Sequence, residues 1–201
     1  MHSEQGNVKI FAGKTGQSFA KKMCNYLGTE LGNSEVIHFS DGNIFVRIKE
    51  TVRNSDVYLV QPIGMDPNNE LVEILFWIDA FKRASASSIT VIVPYFGYAK
   101  DEPRVSIRAR VCADCIEVVG ADRFITMDLH APQIQGFFRI PSDHLYSLPL
   151  LCESVKKYVD VKNLVVVSPD AGFAKTARKY ADYLGTPVAI GDKTRVAHDE
   201  K

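Results

Sequence analysis

An α/β fold built on a mostly parallel sheet is predicted by three observations. Apolar runs alternate with amphipathic stretches along the chain, the pattern of strands joined by helical crossovers. Residues 89–93 form a continuous apolar, β-branched run, as expected of a strand buried on both faces. Residues 69–84 place Leu71, Ile74, Leu75, Ile78 and Phe81 at spacings of three and four, which is one face of a helix.

Taken in order, residues 8–12 read as a strand and 17–27 as a helix stopped by Gly28. Residues 35–39, 45–48 and 57–61 read as strands, the last closed by Pro62. The helix over 69–84 is expected to start at Asn68 or Asn69, whose short side chain can accept from the free amides of the first turn. After the strand at 89–93, residues 106–119 read as a helix ended by Gly120, and 123–127 as a further strand. A Pro-containing loop leads to a helix over 146–158. Residues 164–167 read as another buried strand, 171–184 as a helix ended by Gly185, and 188–190 as a strand. The 143–149 segment is the expected boundary between two α/β units.

The 201 residues suffice for one large domain or two small ones, and a 46% hydrophobic content can build a core. The 24 basic and 24 acidic residues balance. That argues against nucleic acid as a partner, since nucleic-acid domains carry a basic excess, but it leaves a local phosphate site open. Cys112 and Cys115 form a CxxC in the middle of a helical pattern with no second CxxC, so zinc or redox use is not expected. With no apolar signal segment and no run long enough to span a bilayer, the expectation is a reduced, soluble, cytoplasmic protein without a membrane partner.

Candidate chemistry follows the strands. Asp128 and His130, two residues apart beyond the run 123–127, project to the same side if that run is a strand. Ligands in open α/β sheets bind at the carboxyl ends of strands. A carboxylate beside a neutral imidazole suits a divalent cation or a proton-transfer pair; the plainer alternative is a turn-capping His and a helix-capping Asp. Phe39-Ser40-Asp41-Gly42-Asn43 is a Gly-centred turn signal whose plainer reading is a hairpin. Tyr95, Phe96 and Tyr98 around Gly97, followed by Lys100 to Arg104, suit stacking on a flat base and binding its phosphates, or aromatic packing at a sheet edge. Ser168-Pro169-Asp170-Ala171-Gly172 leads into a helix and can hold a phosphate on backbone amides, unless Asp170 caps the helix. Lys193 and Arg195 can both face a transferring phosphoryl group, or form a solvated charge run.

Together these segments resemble the ribose-phosphate pyrophosphokinases, also called phosphoribosyl pyrophosphate synthetases. The resemblance runs from 39–42 through 79–86, 94–99, 127–138 with Ile140-Pro141, to 168–170; the string at 127–138 is its most specific part. It implies two successive phosphoribosyltransferase-like α/β units with mostly parallel sheets, the second incomplete. The first unit, residues 1–145, would carry the ATP-site turn and the Asp128–His130 motif, and residues 146–201 would begin the second. The implied reaction moves the diphosphoryl group of ATP to the 1-hydroxyl of ribose 5-phosphate, giving phosphoribosyl pyrophosphate and AMP, with Mg²⁺ required. Inorganic phosphate or a nucleoside diphosphate is the implied effector, and a homo-oligomer, hexamer or dimer, the implied assembly.

Position by position, Phe39, Asp41, Gly42 and Asn43 match the ATP-binding turn, with Asn43 where Glu is common. Lys100 falls to the ATP grip, and the adenine is expected near 95–98. His130 and Asp170 match Mg²⁺-associated positions, with Asp128 beside His130; Asp143 also matches. Lys193 and Arg195 match the basic pair that stabilises the transferring group. That role fits phosphoryl transfer, in which positioning and cationic stabilisation carry catalysis.

Three departures stand out. Lys100 runs straight into Asp101-Glu102-Pro103-Arg104, a shorter charged stretch than the family's. Arg139 stands where Asp is common. The family's ribose 5-phosphate loop, an Asp-Asp followed by a Thr-Gly-Gly-Thr-like turn, falls beyond Lys201, and without it weak binding of that sugar phosphate is expected. A catalytic synthetase is the leading reading, and a non-catalytic regulatory relative that binds catalytic subunits is the alternative. A related phosphoribosyltransferase is disfavoured by the ATP-site turn and the motif at 128–130.

Overall fold

Ser88–Val93 becomes the middle strand of a five-stranded parallel sheet in the computed structural model of the chain, which describes residues 7–99 and 106–192. The chain divides into two compact units, Met1–Leu145 and Tyr146–Lys201. In the first, the elements run β1 (Asn7–Ala12), α1 (Gln17–Leu27), β2 (Ser34–His38), β3 (Ile44–Ile48), β4 (Ser55–Val60), α2 (Pro67–Arg83), β5 (Ser88–Val93), α3 (Arg108–Val119), β6 (Arg123–Met127) and β7 (Ser142–Leu145). The sheet order is β1-β4-β5-β6-β7, every neighbouring pair parallel.

Burial on both faces explains the apolar strands. Alternate residues point to opposite faces. Phe11, Val57, Leu59, Val91, Val93 and Phe124 pack with Ile74, Trp77, Ile78 and Phe81 of α2 and with Ala109, Cys112, Ala113 and Ile116 of α3. Ile10, Ala12, Val60 and Ile92 on the other face pack with Ala20 and Cys24 of α1. Phe11, Trp77 and Phe81 form an aromatic trio with ring centroids 5.0–5.9 Å apart. Gly28 and Gly120 close α1 and α3 in the left-handed conformation a helix stop requires.

One sequence expectation needs correction here. The long helix starts at Pro67 with Asp66 as its flanking residue, not at Asn68 or Asn69. Proline suits the first helical position because its missing N–H has no partner there anyway, and Asn69 instead donates its side-chain amide to the Asp66 carboxylate at 2.8 Å. At the expected 143–149 boundary, Ser142–Leu145 forms a further strand, β7, pairing parallel with β6. Its polar residues gave no strand signal, as befits an edge strand supported by one neighbour. The strands 35–39 and 45–48 form a separate antiparallel hairpin, His38 opposite Ile44.

The second unit runs α4 (Leu148–Tyr158), β8 (Val166–Ser168), α5 (Ala174–Leu184) and β9 (Val188–Ile190), with β8 and β9 parallel. Cys152, Ala177 and Ala181 are its buried apolar centre. The strand expected as buried at 164–167 is half open: Val167 is 65% exposed. Among the described residues β8 has one strand neighbour, so alternate side chains face outward.

Candidate active-site turn

At the carboxyl end of β6 the chain turns sharply. Asp128 adopts φ +46°, a left-handed conformation that Asp tolerates better than most residues. Its N–H donates to the Leu145 carbonyl at 2.9 Å, carrying the ladder to β7 one residue past β6. The Leu129 N–H donates to His144 Nε2, also at 2.9 Å. Leu129 is 9% exposed and sits in the main core, whereas Asp128 and His130 on either side are exposed. The turn therefore reads out, in, out, and presents a carboxylate and an imidazole together. It returns to the core through Ile134 and Phe138, the latter stacked on Phe124 at 4.1 Å between centroids.

Beside the turn lies a cavity of about 120 Å³ lined by Tyr95, Phe96, Ala99 and Met127 to His130. Pockets that take whole small molecules run to roughly 300–1,000 Å³, so this one has room for a phosphate-sized group or a few waters. The three aromatics do not form one stacking face. Tyr95 is exposed, Phe96 packs edge-on against Phe124 in the core, and the Tyr98 hydroxyl donates to the Asn68 side chain of α2. Any base stacking in this segment falls to Tyr95.

The hairpin tip holds Phe39, Asp41, Gly42 and Asn43, all exposed. Gly42 has φ +89°, which a side chain would strain. The Asn43 N–H and then its side-chain amide donate to Asp41 at 3.0 and 2.8 Å, and these bonds hold the Asp41 carboxyl below its ordinary range. A Glu at 43 has no side-chain donor to make the second bond. The base of the tip is tied to the core: His38 Nε2 lies 3.5 Å from the buried Glu73 carboxylate. Glu73 also accepts from the Lys14 N–H at 2.8 Å and the Trp77 indole at 3.3 Å.

The remaining sequence-predicted site residues fall elsewhere. Asp143 belongs to β7 and its carboxylate accepts from Arg123 Nε at 2.6 Å; it does not line the cavity. Asp170, in the second unit, accepts the Phe173 N–H at 3.0 Å and so caps a short 3₁₀ turn before α5. Arg139 lies 3.7 Å from Asp114, and its backbone N–H donates to Glu117. Lys100, Lys193 and Arg195 lie outside the described residues. Among the described residues, no three His, Cys, Asp or Glu side chains cluster around a possible metal position.

Sequence reasoning missed His144 and Glu73. Burial pushes the His144 imidazole below its ordinary pKa, opposed by the nearby Asp128 charge, and the Leu129 N–H makes Nε2 the acceptor. Its signal was faint, one His in a polar tetrad. Glu73 had a clearer one: it falls on the buried stripe of α2 with Ile74, Trp77 and Ile78, where an acidic residue needs partners.

The family model of the N-terminal domain of ribose phosphate pyrophosphokinase matches residues 8–120. Ribose-phosphate pyrophosphokinase of Chlorobaculum tepidum is 50% identical over 94% of this chain and 59% of its own length. That of Porphyromonas gingivalis is 46% identical over 98% of this chain and 64% of its own. The crystal structure of phosphoribosylpyrophosphate synthetase from Mycobacterium smegmatis superposes with a TM-score of 0.87 at 39% identity, over 94% of this chain and 65% of that one. The chain thus spans a little under two thirds of the length of these relatives.

Proposed function

Because this chain belongs to the ribose-phosphate pyrophosphokinase family, we propose that it serves the transfer of the diphosphoryl group of ATP to the 1-hydroxyl of ribose 5-phosphate. The sugar oxygen attacks the β-phosphorus, the bond from that phosphorus to the α-phosphate oxygen breaks, and AMP leaves. No protein nucleophile is required, so the side chains bind, orient and neutralise. The observation that carries the proposal is the out-in-out turn: Asp128 and His130 stand together at a strand's carboxyl end, over a cavity of phosphate size, with Tyr95 at its edge.

Mg²⁺ binds oxygen donors, commonly one or two carboxylates with substrate phosphates completing the shell. The exposed Asp128 carboxylate fits that chemistry, and when bound the ion would offset triphosphate charge. His130 fits better as a hydrogen-bond donor to phosphate or to metal-bound water than as a direct ligand. Asp170 is kept in the metal-associated set; Asp143, already paired with Arg123, is left out. Phe39, Asp41, Gly42 and Asn43 approach ATP, Lys100 holds its phosphates, and Lys193 and Arg195 stabilise charge on the transferring group. Residues 1–145 are then the ATP-site domain and 146–201 the start of a phosphoribosyltransferase-like domain. A homo-oligomer, hexamer or dimer, and phosphate or nucleoside diphosphate effectors belong to the same proposal. So does a cytoplasmic location, supported by four free cysteines; no described helix is long and apolar enough to cross a membrane.

One observation favours the regulatory alternative: the charged stretch after Lys100 is short, which removes part of the ATP grip. The deciding experiment is AMP formation from ATP with and without ribose 5-phosphate, in Mg²⁺ and phosphate. Sugar-dependent AMP is expected. Its absence from a folded protein that binds ATP would leave either a fragment of a longer catalytic chain or the regulatory relative, and an intact mass separates those two.

A further inference from the structure

We propose that His144 is the positioning residue of the Asp128–His130 turn. A backbone group at this turn needs a partner. The Leu145 carbonyl, the last acceptor of β7 beside the turn, is taken by the Asp128 N–H. The next donor, Leu129 N–H, belongs to a residue whose side chain is sunk in the core. An amide in that position without an acceptor is destabilising enough to make a turn change course.

His144 supplies the acceptor. Register places it opposite Thr126, so its imidazole reaches beyond the end of β6 and Nε2 meets the Leu129 N–H at 2.9 Å. The Gln135 side chain, donating to the Pro132 carbonyl at 3.1 Å, lies 3.5 Å from Nδ1 on the other side of the ring. Leu129 is thus fixed twice, by its side chain in the core and by its amide on His144. With Leu129 fixed, its neighbours Asp128 and His130 are held exposed on either side of it. His144 acts through Leu129, without reaching the reacting atoms itself.

The inference rests on the turn being part of the diphosphoryl-transfer site, and its test separates the two ideas. Replacement by Leu removes the acceptor, whereas in Gln the side-chain carbonyl oxygen lies near the place of Nε2 and can accept. For His144→Leu we expect kcat for sugar-dependent AMP formation to fall about 10- to 100-fold, the scale of a misplaced group, with KM for ATP within about twofold. His144→Gln recovers most of the loss. Amide hydrogen exchange at Leu129 speeds up in His144→Leu and stays slow in His144→Gln. His144→Phe, whose ring fills the same space without an acceptor, replaces the Leu variant if that one does not fold. A fast-exchanging Leu129 with unchanged kcat, or equal losses in the Leu and Gln variants, overturns the proposal. His130→Ala run alongside isolates the parent reading: full activity there removes the turn from the site whatever His144 does.

Discussion

Leu129 and His130 are neighbours in sequence with opposite surroundings, and truncating each to Ala separates stability from chemistry. Leu129 is 9% exposed and lies in the main core cluster with Ile134 and Phe138. Leu→Ala changes in cores cost about 2–5 kcal/mol, rising with the volume the surroundings cannot close. The cavity of about 120 Å³ already bordering Leu129 leaves less close packing to lose on that side, so the lower half of that range, about 2–3 kcal/mol, is expected. His130 is exposed, and such positions change stability by no more than about 0.5 kcal/mol. Its loss should instead remove a charge-stabilising contact, a class of change that lowers turnover by about 10²–10³. The single tryptophan, Trp77, is fully buried in the core of the first unit. Urea titration followed by its fluorescence therefore reads that unit directly, and AMP formation gives the second axis. Comparable destabilisation by both changes, or a Leu129→Ala variant as stable as the parent, refutes the out-in-out description. His130→Ala with parental turnover refutes the chemical role.

Three further outcomes are expected. Gly16→Ala would put a Cβ 2.0 Å from the Val60 carbonyl, whereas Gly136→Ala meets nothing within 4 Å. Backbone must move in the first case, so a loss of about 3 kcal/mol or more is expected against little change in the second, read from urea midpoints. The His144 imidazole is held below its ordinary pKa by burial, so below about pH 6.5 the unfolded chain binds the proton more readily and stability falls as pH drops. The midpoint difference between the parent and His144→Gln should accordingly narrow from pH 7.5 to 5.5; a constant difference contradicts the assignment. Lys193→Ala should lower kcat by orders of magnitude with a smaller change in KM, as a transition-state contact does, and a pure KM effect rules out that role.

Much of this was legible in the sequence because burial leaves a periodic trace. The β-branched run at 89–93 and the helical spacing of Leu71, Ile74, Ile78 and Phe81 reported two-sided and one-sided burial directly. The same-side projection of Asp128 and His130 was read from strand alternation, but β6 ends at Met127 and Asp128 is left-handed; what the two residues share is exposure on either side of buried Leu129. Illegible were the features set by partners distant in sequence. β7 exists because β6 offers it a ladder, not because Ser-Asp-His-Leu favours a strand. Tyr95, Phe96 and Tyr98 look equivalent as a string, yet the core claims one, α2 another, and only Tyr95 remains for a ligand. Glu73 showed in the sequence only as an acid on a buried stripe; its partners, the Lys14 amide and His38, come from segments far away in the chain.

That convergence has a consequence for anions. A strand, a Gly-containing turn and a helix start, as at Ala12 to Gln17, form the geometry that receives phosphate on free amides in many α/β proteins. Here the Lys14 amide already holds an anion, the carboxylate of Glu73, and Gly16 donates to Gln61 beside it. The first turn of the sheet is thus closed by the protein's own charge. Phosphate in a buffer meets occupied amides there, in contrast to the turn after β6 at the same edge of the sheet, where His130 faces solvent.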